Sequence, residues 1–112
     1  MDASVLLAQV GGSADTAILV LKEFIHQTPL DIENIEKSLG ADDLIAAGKV
    51  AHSLKGASGV FGAHLLRQIA ADLEMACREN EAEKSGELFA QLKPEAQRCL
   101  AFIPELEESL GK

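Results

Sequence analysis

Hydrophobic residues recur at alternating intervals of three and four along almost the whole chain, which is the period of an α-helix that buries one face. The clearest run is Ile18, Leu21, Ile25, Thr28, Ile32, Ile35 and Leu39. Ser13 precedes it as an N-cap and Gly40 follows it as a stop, so the pattern predicts one long helix. Pro29 falls inside that run and is expected to kink the helix or split it near Thr28. Before it, Asp2 is placed to cap a short helix reaching Val10, closed by Gly11-Gly12. After it, Asp42 is expected to cap a third helix that fades near Gly62. A fourth spans about Ala63 to Glu79, with Leu66, Ile69, Ala70, Leu73 and Cys77 on one stripe. Asn80 to Gly86 has the composition of a polar turn. The last helix turns Leu88, Leu92, Ala96, Cys99, Ile103, Leu106 and Leu110 inward. Pro94 and Pro104 are expected to kink or interrupt it.

The fold class that follows is all-α: an antiparallel up-down-up-down four-helix bundle with a short extra N-terminal helix, with residues 1–112 as a single domain. Composition agrees. There is no Trp or Tyr and only 4 Phe, so the core must be built from Leu, Ile, Val and Ala. A net charge of -8 argues against nucleic acid and against anionic membrane surfaces. No apolar run nears the roughly 20 residues that span a bilayer. The N-terminus lacks a basic segment followed by a hydrophobic one, so a cytoplasmic monomer with no membrane insertion is expected. Cys77 and Cys99 are expected to be small buried thiols.

The third helix carries the chemistry. With His52 at zero, a turn of about 100° per residue places Ile45, Gly48, Lys55, Gly56 and Gly59 within about 60° of it. Leu44, Ala47, Val50, Ala51, Leu54, Ala57, Ser58 and Phe61 fall on the other side. The histidine is therefore on the face opposite the core, beside a cation and with little side-chain bulk around it. Each glycine costs about 1 kcal/mol relative to Ala inside a helix, so either some use explains them or the helix stops near Gly56.

Other chemistries fit poorly. Gly48-Lys49 lacks the other residues of a phosphate-binding loop, and Gly56-Ala57-Ser58-Gly59 is not a nucleophile elbow. His26, His52 and His64 match no standard metal spacing, and His26 and His64 are expected to face solvent or lie at helix ends. Glu74 and Arg78 are spaced as an i,i+4 pair on a helix surface. A neutral imidazole is a nucleophile that can attack phosphorus, and a nearby lysine can supply charge to the phosphoryl group. Such a convex site suits insertion into another protein's pocket better than a small substrate.

The run Ala51-His52-Ser53-Leu54-Lys55-Gly56-Ala57-Ser58-Gly59, with Phe61-Gly62-Ala63, Leu66 and Leu73-Glu74 after it, resembles the histidine-containing phosphotransfer (HPt) domain of two-component phosphorelays. Leu6-Leu7-Ala8-Gln9-Val10-Gly11-Gly12 is similar to the short first helix of that family. The resemblance implies that His52 accepts a phosphoryl group on Nε2, that Lys55 interacts with it, and that Gly56 leaves room for the partner. It implies that Glu74 bonds the other imidazole nitrogen. It implies no cofactor on this chain, with Mg²⁺ on the partner, a response-regulator receiver domain served by a sensor or hybrid histidine kinase. The chain is then a phosphocarrier without kinase activity of its own. Gly48, Gly56, Gly59, Leu6 and Val10 are the expected docking residues, with Leu7 beside them. Two alternatives stay open: the phosphoaccepting domain of a chemotaxis-type kinase, and a helical adaptor that binds without chemistry.

Overall fold

The computed structural model describes residues 1–111, and among them every regular element is helical. The elements are α1 (Ala3–Gln9), α2 (Ala14–Gly40), α3 (Leu44–Val60), α4 (His64–Arg78) and α5 (Ala82–Ser109). Helices α2 to α5 pack each against the next, and α5 returns to α2 to close the ring. This is the up-down-up-down bundle that the periodicity predicts. Its core is aliphatic, with Leu21, Ile35, Leu54, Leu66, Leu73, Leu92 and Ile103 almost wholly removed from water. Phe24 and Phe61 add a tilted ring contact at 4.6 Å between α2 and α3.

Two tight connections at one end of the bundle share one device. Asp42 and Asn80 both adopt left-handed backbone, each with φ 59. Asp and Asn tolerate that region better than other non-glycine residues. In each turn the next amide reaches back to the ending helix, Asp43 N to Ser38 O at 2.8 Å and Glu81 N to Ala76 O at 2.9 Å. The cap of α3 is consequently Asp43 and not Asp42. The carboxylate of Asp43 accepts from the Ala46 amide at 3.1 Å, whereas Asp42 is committed to the turn. The expected polar turn from Asn80 to Gly86 is also shorter. Helix α5 begins at Ala82, and Ser85 is fully buried, its hydroxyl donating to Glu81 O.

Because those connections are short, the additional length of α2 and α5 projects past the α3–α4 turn at the other end. Helix α1 fills that end. Asp2 caps it and also donates its own amide to Phe61 O at 3.0 Å. Gly11 and Gly12, with φ of 70 and 83, reverse the chain into α2.

The prolines break nothing. Both α2 and α5 run through Pro29, Pro94 and Pro104 as single helices. All three prolines are exposed, so the carbonyls they leave unbonded are on the side where water can bond them. One core assignment moves: Ile25 is 43% exposed and Phe24 takes the inward position. Among the described residues no single helix is long and apolar enough to cross a membrane. Cys77 and Cys99 are buried free thiols.

Candidate functional site

Helix α3 continues past all three of its glycines to Val60, so they lie within the helix and do not end it. Its buried residues are Leu44, Ala47, Ala51, Leu54 and Ser58, the stripe opposite His52. Ser58 satisfies its buried hydroxyl by donating to Leu54 O at 2.7 Å. The His52 side chain is accordingly 65% exposed.

The imidazole is nevertheless held. Nδ1 lies 2.8 Å from Glu74 Oε2, a bond from α3 to α4 across 22 residues of sequence. A carboxylate only accepts, so Nδ1 carries the proton, and in the neutral ring Nε2 is the nitrogen that keeps its lone pair. Nε2 has no hydrogen-bond partner among the described residues. Glu74 also accepts from Lys55 Nζ at Oε1, 2.7 Å, and from Arg78 at Oε2, 3.1 Å. Its side chain is only 12% exposed. The Lys55 hydrogen bond, above all, holds the Glu74 carboxyl below its ordinary range. Desolvation opposes this, and the His52 bond and charge reinforce it. The i,i+4 pair with Arg78 and the bond to His52 are thus both present, one carboxylate serving both. Lys55 does not stand free beside the histidine; its ammonium rests on Glu74, one helical turn from the ring.

The three glycines have different surroundings. A methyl group on Gly48 would lie 3.2 Å from Cys77 Cβ and 3.9 Å from Glu74 O. Gly48 therefore sets how closely α4 approaches α3, which brings Glu74 within reach of His52; it is a close-packed position and not bare surface. A methyl group on Gly59 would meet the Arg67 side chain at 3.3 Å. Only Gly56 has nothing within 4 Å, and it alone leaves the bare surface beside the histidine that the sequence suggests for all three. Leu6 is 0% exposed, which removes it from any docking surface: α1 buries it in the core. Val10 and Leu7 are half-buried against the same core. His26 and His64 are exposed, as their positions predict, and no cluster of metal-ligating side chains occurs among the described residues.

Sequence reasoning missed Arg78 as a member of the site and missed Ile45, 74% exposed, as the most exposed large hydrophobic residue on the molecule. The helical wheel already contained the second, since Ile45 lies two turns before His52 on the same face.

Comparison with known proteins bears on what such a histidine does. A family model described as the Hpt domain matches residues 19–109. The phosphorelay intermediate protein rdeA of Dictyostelium discoideum is 22% identical over 111 residues, which is 99% of this chain and 44% of that protein. The chain thus spans less than half the length of that curated relative. Among solved structures, histidine-containing phosphotransfer protein B from Pseudomonas aeruginosa superimposes with a TM-score of 0.87 at 25% identity, over 97% of this chain and 95% of that one. The HPT domain of a sensor hybrid histidine kinase from Shewanella has the same fold, with a TM-score of 0.85 at 20% identity, over 100% of this chain and 97% of its own.

Proposed function

The chain belongs to the Hpt domain family, and on that premise we propose that it is a phosphorelay intermediate whose His52 accepts a phosphoryl group from an aspartyl phosphate and passes it to another receiver domain. The observation that carries this reading is the His52–Glu74 bond. It fixes the proton on Nδ1 of an imidazole that is otherwise exposed, and so leaves Nε2 as an unprotonated nucleophile.

In the transfer the Nε2 lone pair attacks phosphorus and forms the N–P bond. The P–O bond to the donor carboxylate breaks, and its electron pair leaves on that carboxylate. No proton has to leave Nε2. The product ring carries phosphorus on Nε2 and hydrogen on Nδ1, so it is cationic, and the Glu74 carboxylate stabilises that charge at 2.8 Å. Lys55 is near enough to exchange Glu74 for a phosphoryl oxygen once three anionic oxygens arrive beside it. Gly56 leaves space for the partner's pocket to close over Nε2. The Mg²⁺ of the transfer belongs to the receiver in this scheme, and the kinase activity to another domain or protein, with the exchange taking place in the cytoplasm.

Mixing the protein with a receiver domain carrying labelled phosphate tests the proposal. Label is expected to move to this chain, to be acid-labile and base-stable, and to be absent from His52→Gln. Undiminished labelling of that variant refutes it.

A further inference from the structure

Two features near His52 have no part in the transfer chemistry. One is Ile45, whose 74% exposure leaves a large apolar side chain in water beside the reactive ring. The other is a groove of about 450 Å³ between α3 and α4, closed at one end by His52 and Glu74. Its floor is Leu44, Gly48 and Cys77, all largely removed from solvent, and its rim carries Ile45, Lys49 and Arg78.

The rim is locally cationic on an acidic molecule. The net charge is -8, yet α3 has no Asp or Glu between Leu44 and Val60 and carries two lysines. Lys49 makes no ion pair among the described residues. Two carboxylates near the groove are already engaged: Asp43 caps the Ala46 amide, and Glu74 accepts from His52, Lys55 and Arg78. An apolar floor with cations at its edge is complementary to an apolar side chain flanked by carboxylates.

We propose that the α3–α4 groove is a docking slot for the protein that exchanges the phosphoryl group, and that it takes an acidic segment with an apolar side chain at its tip. The apolar side chain packs on Ile45 and Leu44, and its flanking carboxylates face Lys49 and Arg78. This assigns partner choice to a surface on the α3–α4 side of the histidine, away from α1. The inference rests on His52 being the phosphoacceptor.

Two donors separate docking from chemistry. One is a receiver domain, charged with acetyl phosphate, that labels the unaltered chain. The other is phosphoramidate, which is too small to use a docking surface; its P–N bond breaks, ammonia leaves, and the N–P bond to His52 forms. Ile45→Asp is expected to lower the ratio of receiver-borne to phosphoramidate-borne labelling by about tenfold or more, the scale of losing one anchor residue. Lys49→Glu is expected to lower that ratio severalfold and to weaken its dependence on salt. Leu30→Asp, an equivalent change on α2, should leave the ratio where it is. An unchanged ratio in both groove variants overturns the proposal. So does an equal fall with both donors, which would place Ile45 in the histidine's own environment. If neither donor labels the unaltered chain at His52, the phosphoacceptor reading itself fails, and the slot with it.

Discussion

Replacing Gly48 and Gly56 separately by alanine tests whether the first is a spacer between helices and the second a bare surface. Both lie inside α3 with ordinary helical backbone, and alanine at either gains about 1 kcal/mol in helix propensity. At Gly56 the new methyl group meets nothing within 4 Å, so the gain should be realised. At Gly48 it arrives 3.2 Å from Cys77 Cβ, an atom tied directly to the α4 backbone. A flexible side chain cannot swing away to relieve that contact; α4 itself has to move by a few tenths of an ångström. Overpacking of this kind costs about 1–3 kcal/mol. The two variants should therefore differ by about 1–3 kcal/mol, or roughly 4–12 °C in Tm for a domain of this size. Thermal unfolding followed by circular dichroism reads the difference directly. The Gly48 variant should also weaken the His52–Glu74 bond, because Glu74 rides on the helix that is pushed. A Gly48→Ala protein as stabilised as Gly56→Ala, with the His52 ring unperturbed by NMR, would refute the reasoning.

Glu74→Ala removes the acceptor that holds the proton on Nδ1, so ¹⁵N spectra of His52 should show the two tautomers mixing, and phosphoryl transfer should slow by about 10–100-fold, by analogy with the loss of a partner that orients a metal-bound histidine. Asp31 is buried, and desolvation raises its carboxyl above the ordinary 3.8 against the hydrogen bond from Gln27. A raised carboxyl binds protons more tightly in the native state than in the unfolded one. Stability should thus fall as pH rises from 3.8 through the folded value, and Asp31→Asn, which keeps an oxygen for Gln27, should flatten that fall and be more stable at pH 7 under urea titration. Burial raises the Cys99 thiol, and the buried Cys77 thiol is held by the Ser85 hydroxyl at 3.6 Å, so a thiol reagent at pH 8 should label neither until the protein unfolds; rapid labelling of the native state would contradict the packing.

What was legible in the chain was whatever repeats along a single helix. The stripe from Leu44 to Ser58 is enough to turn His52 outward, and the stripe from Leu66 to Cys77 is enough to define α4. The three interior prolines were visible but their effect was not, because it depends on which face each occupies in the bundle. Contacts between helices lay beyond reach for the same reason. The family resemblance offers Glu74 for the imidazole and the i,i+4 spacing offers it for Arg78, but its simultaneous hold on Lys55 requires the spacing of α3 and α4. A helical wheel groups Gly48 with Gly56 because it shows direction and not what stands there. Leu6 reads as a docking residue in the sequence because an amphipathic helix of seven residues has an apolar face whether it covers the core or awaits a partner. The Asp42-Asp43 pair shows the limit at helix starts: either residue can cap, and the left-handed turn decides between them.

The single outward imidazole has a consequence for timing. On the proposed role His52 offers one nitrogen on one face, so a protein that loads it and a protein that unloads it would need the same space and would have to take turns. Throughput then depends on how quickly a spent donor departs as much as on the transfer itself. On the same reading an unphosphorylated receiver in excess would act as a brake, holding the face without doing anything to it. Raising the concentration of either partner beyond balance should lower the flux, a behaviour of shared single berths that tight affinity would only worsen.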